Sequence, residues 1–173
     1  MNIISNNCLS GFLYKDFLKQ EFGNPFVWSV IDFKSMLYLV QNYDKINFRN
    51  YKLMKDKNWN FSIIIDEHVK IQYVHYKFSP TATTIIHNPM IAGEVFYNKI
   101  WEYIIAVYDK RLARMTEKPI FCIMNFNTIF PDAIYTNEEL EILSKYENVK
   151  ILKGYEKMEP FIASKNFYDK IFR

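Results

Sequence analysis

The stretch Pro119-Ile120-Phe121-Cys122-Ile123-Met124-Asn125 decides the reading of the fold. Its apolar residues are consecutive rather than alternating, so the spacing predicts a strand covered on both faces, the kind found in parallel sheets. Upstream, Val95, Ile100, Ile104, Val107, Tyr108 and Leu112 recur at helical intervals and predict a long helix from Glu94 to about Met115. Downstream, Thr136 and Glu139 make a capping box for a helix ending near Tyr146, Val149 to Leu152 reads as a last short strand, and residues 157–173 read as helical. At the other end, Asn2 to Ser5 is a short buried strand that meets the polar turn Asn6-Asn7-Cys8. An amphipathic stretch with Phe12, Phe17 and Leu18 then stops at Gly23-Asn24-Pro25. Phe26 to Val30 is a second strand, and Asp32 caps a helix bearing Phe33, Met36, Leu37 and Val40.

This strand–helix–strand–helix order predicts one α/β domain over residues 1–173, with a mainly parallel sheet. Phe61 to Ile65 and Val69 to Tyr76, around Asp66-Glu67-His68, predict an antiparallel hairpin insertion. Residues 45–60 carry no clean period, and residues 79–93 read as a long loop of the kind that is often functional.

Composition narrows the class of protein. Of the 173 residues, 50% are hydrophobic and 24% charged, and the net charge is +3, which fits a compact domain and gives no basic footprint for nucleic acid. No run approaches the roughly 18 apolar residues of a membrane span, and no secretory signal is visible at the N-terminus. Two cysteines, Cys8 and Cys122, fit a reduced cytoplasmic setting better than a disulfide framework. The four glycines, at 11, 23, 93 and 154, exclude a Gly-x-Gly-x-x-Gly fingerprint and a Walker loop, and no Gly-x-Ser-x-Gly elbow is present. No histidine pair has zinc spacing, so no metal is expected.

Ligands of open parallel sheets bind outside the carboxyl ends of the strands. Ser5, Asn6, Asn7 and Cys8 fall there after the first strand, Asp32 after the second, His75 and Tyr76 at the end of the hairpin, and Asn125 after the Ile120–Met124 strand. Cys8 at a helix start reads either as a nucleophile with a lowered pKa or as an ordinary buried thiol, and Cys122 reads as core. Asn6 and Asn7 are donors for a substrate carbonyl or simple turn residues. His75 is the best-placed histidine and reads either as an acid/base group or substrate donor or as a satisfied structural histidine, whereas His68 in the hairpin turn and His87 in the long loop read as solvated. Arg111 and Arg114 are two of four arginines and stand three apart late in the long helix. They fit a phosphate or carboxylate site, or a solvated helix end.

Ile3-Ile4-Ser5-Asn6-Asn7-Cys8 followed by Gly11-Phe12-Leu13-Tyr14 resembles the N-terminal signature of a bacterial family of unknown function labelled exopolysaccharide biosynthesis protein. Asn24-Pro25 before a strand and Asp32-Phe33, Val74-His75-Tyr76-Lys77, and Tyr108-x-x-Arg111-x-x-Arg114 are similar to further features of that family. The sequence departs from it in having Leu9-Ser10-Gly11 for Trp-Gly-Gly, Tyr108 for Trp, and Asn125 where an aspartate is common. The resemblance implies a Rossmann-like three-layer fold and a part in surface-polysaccharide synthesis. On it rests the expectation of a cytoplasmic transferase for a sugar or glycan precursor, with acyl transfer ahead of glycosyl transfer. In that expectation Cys8 and His75 are catalytic, and Ser5, Asn6, Asn7, Tyr76 and Asn125 bind substrate. Arg111 and Arg114 hold the phosphate of a coenzyme A thioester or nucleotide sugar. The alternative is a non-catalytic precursor-binding subunit associated with polysaccharide assembly proteins.

Overall fold

The computed structural model describes residues 1–55, 61–75, 83, 93–115, 118–125, 131–152, 165–166, 168–170 and 173, with backbone only for 93–97. Its first half runs β1 (Ile3–Ser5), α1 (Leu9–Phe12), a π-helical run Leu13–Leu18, β2 (Ser29–Ile31), α2 (Phe33–Asn42) and a 3-10 turn Tyr43–Lys45. There follow β3 (Tyr51–Lys55), β4 (Phe61–Ile65), β5 (Val69–Tyr73) and α3 (Gly93–Leu112). The chain continues through β6 (Ile120–Ile123), a 3-10 turn Pro131–Ala133, α4 (Asn137–Ser144) and β7 (Val149–Ile151). Of the segment expected to be helical at the C-terminus, residues 165–166 and 168–170 are helical, while 157–164 lie outside the described residues, as does nearly all of the 79–93 loop.

The strands build two separate sheets. One is parallel, in the order β1-β6-β7, and the other is antiparallel, in the order β2-β5-β4-β3. The protein is therefore mixed α/β, and the expected single, mainly parallel sheet is replaced by a three-stranded parallel one beside a larger antiparallel one. The second strand is the reason. Phe26-Val27-Trp28 looks like strand because it is apolar, yet it forms a turn in which Phe26 and Val27 are buried in two different core clusters. Asn24 starts that turn by accepting the Phe26 N–H on its side-chain oxygen at 2.9 Å, and the chain emerges as β2 antiparallel to β5.

The apolar run at 120–124 is the central strand of the parallel sheet, as its composition predicts. Phe121 and Ile123 enter the main core with Met36, Leu39, Ile63 and Leu143. Cys122 and Met124 face the opposite way, toward Leu9, Leu13 and Tyr14. Both faces are thus dry, which is why no polar residue interrupts the run. The outer edge of β1 is closed by side chains: the Ile3 N–H donates to the Tyr14 hydroxyl at 2.9 Å, and its carbonyl accepts from Asn24 Nδ2 at 2.7 Å.

Asn6 joins the two sheets. Its carbonyl accepts from Ile31 N of β2 at 3.1 Å, while its fully buried carboxamide mimics a further backbone rung against Met124, taking the N–H at 3.2 Å and giving to the carbonyl at 3.3 Å. The same Nδ2 donates to Ala133 O at 2.7 Å.

In the antiparallel sheet, Phe61, Ile63 and Ile65 of β4 and Val69, Ile71 and Tyr73 of β5 are buried at period two. The hairpin turn places Asp66 and Glu67 at φ 49° and 64°, with His68 N donating to Ile65 O, the mirror-image turn that suits strand twist. β3, hidden in the aperiodic 45–60 stretch, is an edge strand whose residues are all exposed or half-buried, so burial imposed no pattern on them. Asp32 caps α2 by accepting from Ser35 N at 2.8 Å, and the Thr136–Glu139 capping box is present on α4. Among the described residues no helix is long and apolar enough to cross a membrane.

Removing the Asn6 carboxamide leaves buried backbone groups of Met124 and Ala133 unpaired, so Asn6→Ala is expected to cost about 3 kcal/mol, read as a lowered urea midpoint at unchanged slope. Burial also raises the phenols: Tyr43 is pushed from 10.0 up to about 12, and Tyr73, Tyr108 and Tyr135 are raised as well. A raised folded-state pKa means the native chain holds these protons longer than the unfolded one. Their contribution is therefore complete below pH about 10 and lost as pH climbs toward 12. Melting temperatures should be flat with respect to these groups from pH 7 to 9 and fall steeply above 10.

Candidate functional site

The turn that diverts the second strand also builds the site. Four successive carbonyls of the turn each have their own donor: Pro25 O takes the Tyr73 hydroxyl at 2.7 Å, and Phe26 O takes Ser29 Oγ at 2.6 Å. Val27 O takes Arg111 Nη1 at 2.9 Å, and Trp28 O takes Val74 N at 3.4 Å. These bonds hold Trp28 at φ 62°, a left-handed conformation that is strained for a bulky side chain. The indole lies over Gly11, where any Cβ would overlap the ring. It meets the Phe12 ring edge-on at 5.1 Å and the His75 imidazole edge-on at 5.2 Å.

Beside this indole is a cavity of about 450 Å³, within the range of small-molecule sites. Phe12, Phe22, Trp28 and Tyr73 supply aromatic wall, and Ile104 and Val107 of α3 supply apolar wall. Its ionisable nitrogen groups are Lys15, His75 and Arg111, and no carboxylate lines it among the described residues. The Arg111 guanidinium sits 4.8 Å from the centroid of the Phe22 ring. Burial lowers its pKa below the usual guanidinium range, the Tyr73 and Tyr103 phenols oppose the change, and Arg114 adds a little to the lowering. Among the described residues no carboxylate pairs with it.

His75, just beyond β5, stands between the cavity and Cys8. Cys8 Sγ lies 3.7 Å from His75 Nε2, within range of a thiol hydrogen bond. The sulfur side of this pair packs on Val30, Val74 and Ala133. Cys8 precedes a helix of only four residues and keeps partial exposure, yet desolvation of its sulfur pushes the thiol up from 9.0 to about 12. The lowered pKa expected from a helix start is therefore reversed: the thiol is neutral at pH 7, and its chemistry depends on a base beside it.

The remaining predicted residues divide. Ser5 Oγ donates to Asn7 O at 2.6 Å and accepts from Ser10 N at 2.9 Å. Asn7 Nδ2 donates to Met124 O at 2.8 Å while its Oδ1 accepts from Leu9 N at 3.0 Å, and Asn6 is committed to Met124 and Ala133. Asn125 makes a two-bond clamp with the backbone of Tyr135, at 2.7 and 3.0 Å. These amides hold the loops behind the site together and do not face the cavity. Arg111 and Arg114 part company: Arg114 pairs with Glu21 at 2.6 Å on the outer side of Phe22, so the two do not form one anion clamp. Tyr76 and His87 lie outside the described residues. His68 is exposed and stacks on Tyr38 at 4.4 Å, and Cys122 is fully buried in the core.

A wider hollow of about 790 Å³ opens between the starts of α2 and α4, but two of its acids, Asp32 and Glu139, are occupied as helix caps. The smaller cavity is the better candidate because the basic side chains of Lys15 and Arg111 and the imidazole of His75 converge on it. Sequence reasoning missed its walls, Lys15, Phe12, Phe22, Trp28 and Tyr103. One signal was available: Arg111 continues the stripe Ile100, Ile104, Val107 on α3, and a cation on an apolar stripe calls for an explanation.

No curated protein matches the chain. Residues 1–85, which carry β1 through β5, His75, Cys8 and the Asn24–Trp28 turn, match the family described as Domain of unknown function (DUF1919).

Proposed function

We propose that this protein is a cytoplasmic transferase acting on a sugar or glycan precursor of bacterial surface polysaccharide, with acyl transfer ahead of glycosyl transfer. The observation that carries the reading is the Cys8–His75 contact at 3.7 Å on the edge of an aromatic and cationic cavity. A neutral thiol beside an imidazole is a nucleophile with its base in place. His75 Nε2 takes the thiol proton as Cys8 sulfur bonds to the carbonyl carbon of an acyl thioester. The donor's carbon–sulfur bond breaks, and its departing thiolate takes that proton from His75. A sugar hydroxyl then attacks the Cys8 thioester, giving its proton to His75 and freeing the Cys8 sulfur, which recovers the proton. The parallel sheet, dry on both faces, supports reading this half as Rossmann-like with three layers. The polysaccharide setting rests on the N-terminal motif and its resemblance.

A second reading, a non-catalytic precursor-binding subunit of a polysaccharide assembly machine, is favoured by one observation. The amides of Asn6, Asn7 and Asn125 are all bonded to backbone, leaving none of them to position a reacting carbonyl.

Surface glycan modification in cells carrying Cys8→Ser or His75→Gln separates the two. The transferase loses about a hundredfold or more of its activity with either change, while the binding subunit supports normal glycan with Cys8→Ser. Iodoacetamide labelling mapped to the Cys8 peptide adds a pH test. With the thiol pushed up to about 12, alkylation keeps rising from pH 8 to 11. A plateau already reached near pH 7 would mean a preformed thiolate and would overturn the neutral-pair mechanism.

A further inference from the structure

The cavity raises a question that the Cys8–His75 pair does not answer: why a guanidinium faces an aromatic chamber in which, among the described residues, no acid meets it. Among the described residues Arg111 donates one hydrogen bond, to Val27 O at 2.9 Å, and makes one ring contact, with Phe22. Its five N–H donors are satisfied only in part by that carbonyl. A charge withdrawn from water is retained at a cost unless something compensates it. Among the described residues the groups that contact it are neutral, a carbonyl and a ring face. Lys15, which lines the same cavity from the π-helical run, adds a second cation and no acid. Two cations thus line the chamber, and most of the rest of its wall is aromatic or aliphatic.

We propose that this cavity binds an amphipathic oxyanion: a ligand with one carboxylate, phosphate or sulfonate group held by Arg111 and steered by Lys15, and a planar or apolar body lying against Trp28, Phe12 and Val107. This deepens the transferase reading and rests on it only for the statement that the ligand is the donor or acceptor of that reaction; the anion site itself rests on the cavity. Arg114 has no part in it, because Glu21 neutralises it outside the chamber. Arg111 also fixes the turn that carries Trp28, so the anion and the aromatic wall meet through one side chain.

The probe is 1-anilinonaphthalene-8-sulfonate, an aromatic anion, set against its uncharged analogue N-phenyl-1-naphthylamine, each titrated by fluorescence into the full chain. The wild type is expected to bind the sulfonate with a discrete single-site curve and at least about tenfold more tightly than the neutral dye. Arg111→Met should abolish that preference while Arg111→Lys retains part of it, and Arg114→Gln should leave it untouched. Val107→Trp, which fills the chamber and spares both cations, should abolish binding of both dyes. Circular dichroism and melting of each variant distinguish a lost site from a lost fold. Equal affinity for the two dyes in the wild type, or an anion preference that survives Arg111→Met in a folded chain, would overturn the proposal. If the preference fails while Cys8→Ser still abolishes glycan modification, the transferase reading stands and the anion site falls. The reverse pattern leaves a binding site without that chemistry. Competition by inorganic phosphate against competition by acetate then distinguishes a phosphate-bearing from a carboxylate-bearing ligand.

Discussion

Asn6 is where the architecture is decided. Its main chain belongs to the antiparallel sheet, through Ile31 N, and its side chain belongs to the parallel sheet, through Met124. Two sheets that share no strand are bridged by hydrogen bonds from this one residue, because a carboxamide has the same donor and acceptor as a peptide unit. Asn7 repeats the device at a smaller scale, bonding Met124 O while accepting the N–H that opens α1. No aliphatic side chain can do this, and a carboxylate lacks the donor. The Asn-Asn pair is thus a structural requirement of the turn that ends at Cys8, and it fixes that thiol opposite His75.

The legible part of the fold was whatever burial had patterned. The 120–124 run, the β4–β5 hairpin, α3 and the capped helices each carry a period or a terminus that follows from which side is dry. What was illegible falls into two kinds. β3 is exposed on an edge and has nothing to encode. Phe26-Val27-Trp28 encodes burial without a direction: its side chains enter separate clusters, and apolar content alone does not distinguish a turn buttressed by Asn24, Tyr73, Ser29 and Arg111 from a strand. The donors that stabilise the turn's carbonyls come from positions 29 to 111, far apart in sequence.

The site was legible in the same uneven way. Cys8, His75 and Arg111 were visible as rare polar groups at element ends, and the structure places Cys8 against His75 and His75 in one chamber with Arg111. Their electrostatics were not visible. A helix start suggested a low thiol pKa, but α1 has four residues and the sulfur packs on Val30, Val74 and Ala133, so desolvation outweighs the dipole. The spacing of Arg111 and Arg114 suggested a clamp, but Phe22 lies between their environments and Glu21 takes the second. Aromatic residues were too numerous, at 18% of the chain, for any one to stand out as wall.

The strained residue and the charged one explain each other. Trp28 is held in the left-handed region by bonds to the carbonyls around it, and Arg111 supplies one of them at Val27. Strain of this kind persists only where the surroundings over-determine it, at a cost of order 1–3 kcal/mol. A half-buried guanidinium used only to brace a turn would be a poor choice, since a neutral donor such as Ser29 Oγ or the Tyr73 hydroxyl does the same for the neighbouring carbonyls. A guanidinium differs in keeping several donors and a full charge after one bond is made. The turn therefore needs only one hydrogen bond from Arg111, and the remaining charge faces the chamber that the turn's own tryptophan helps to form.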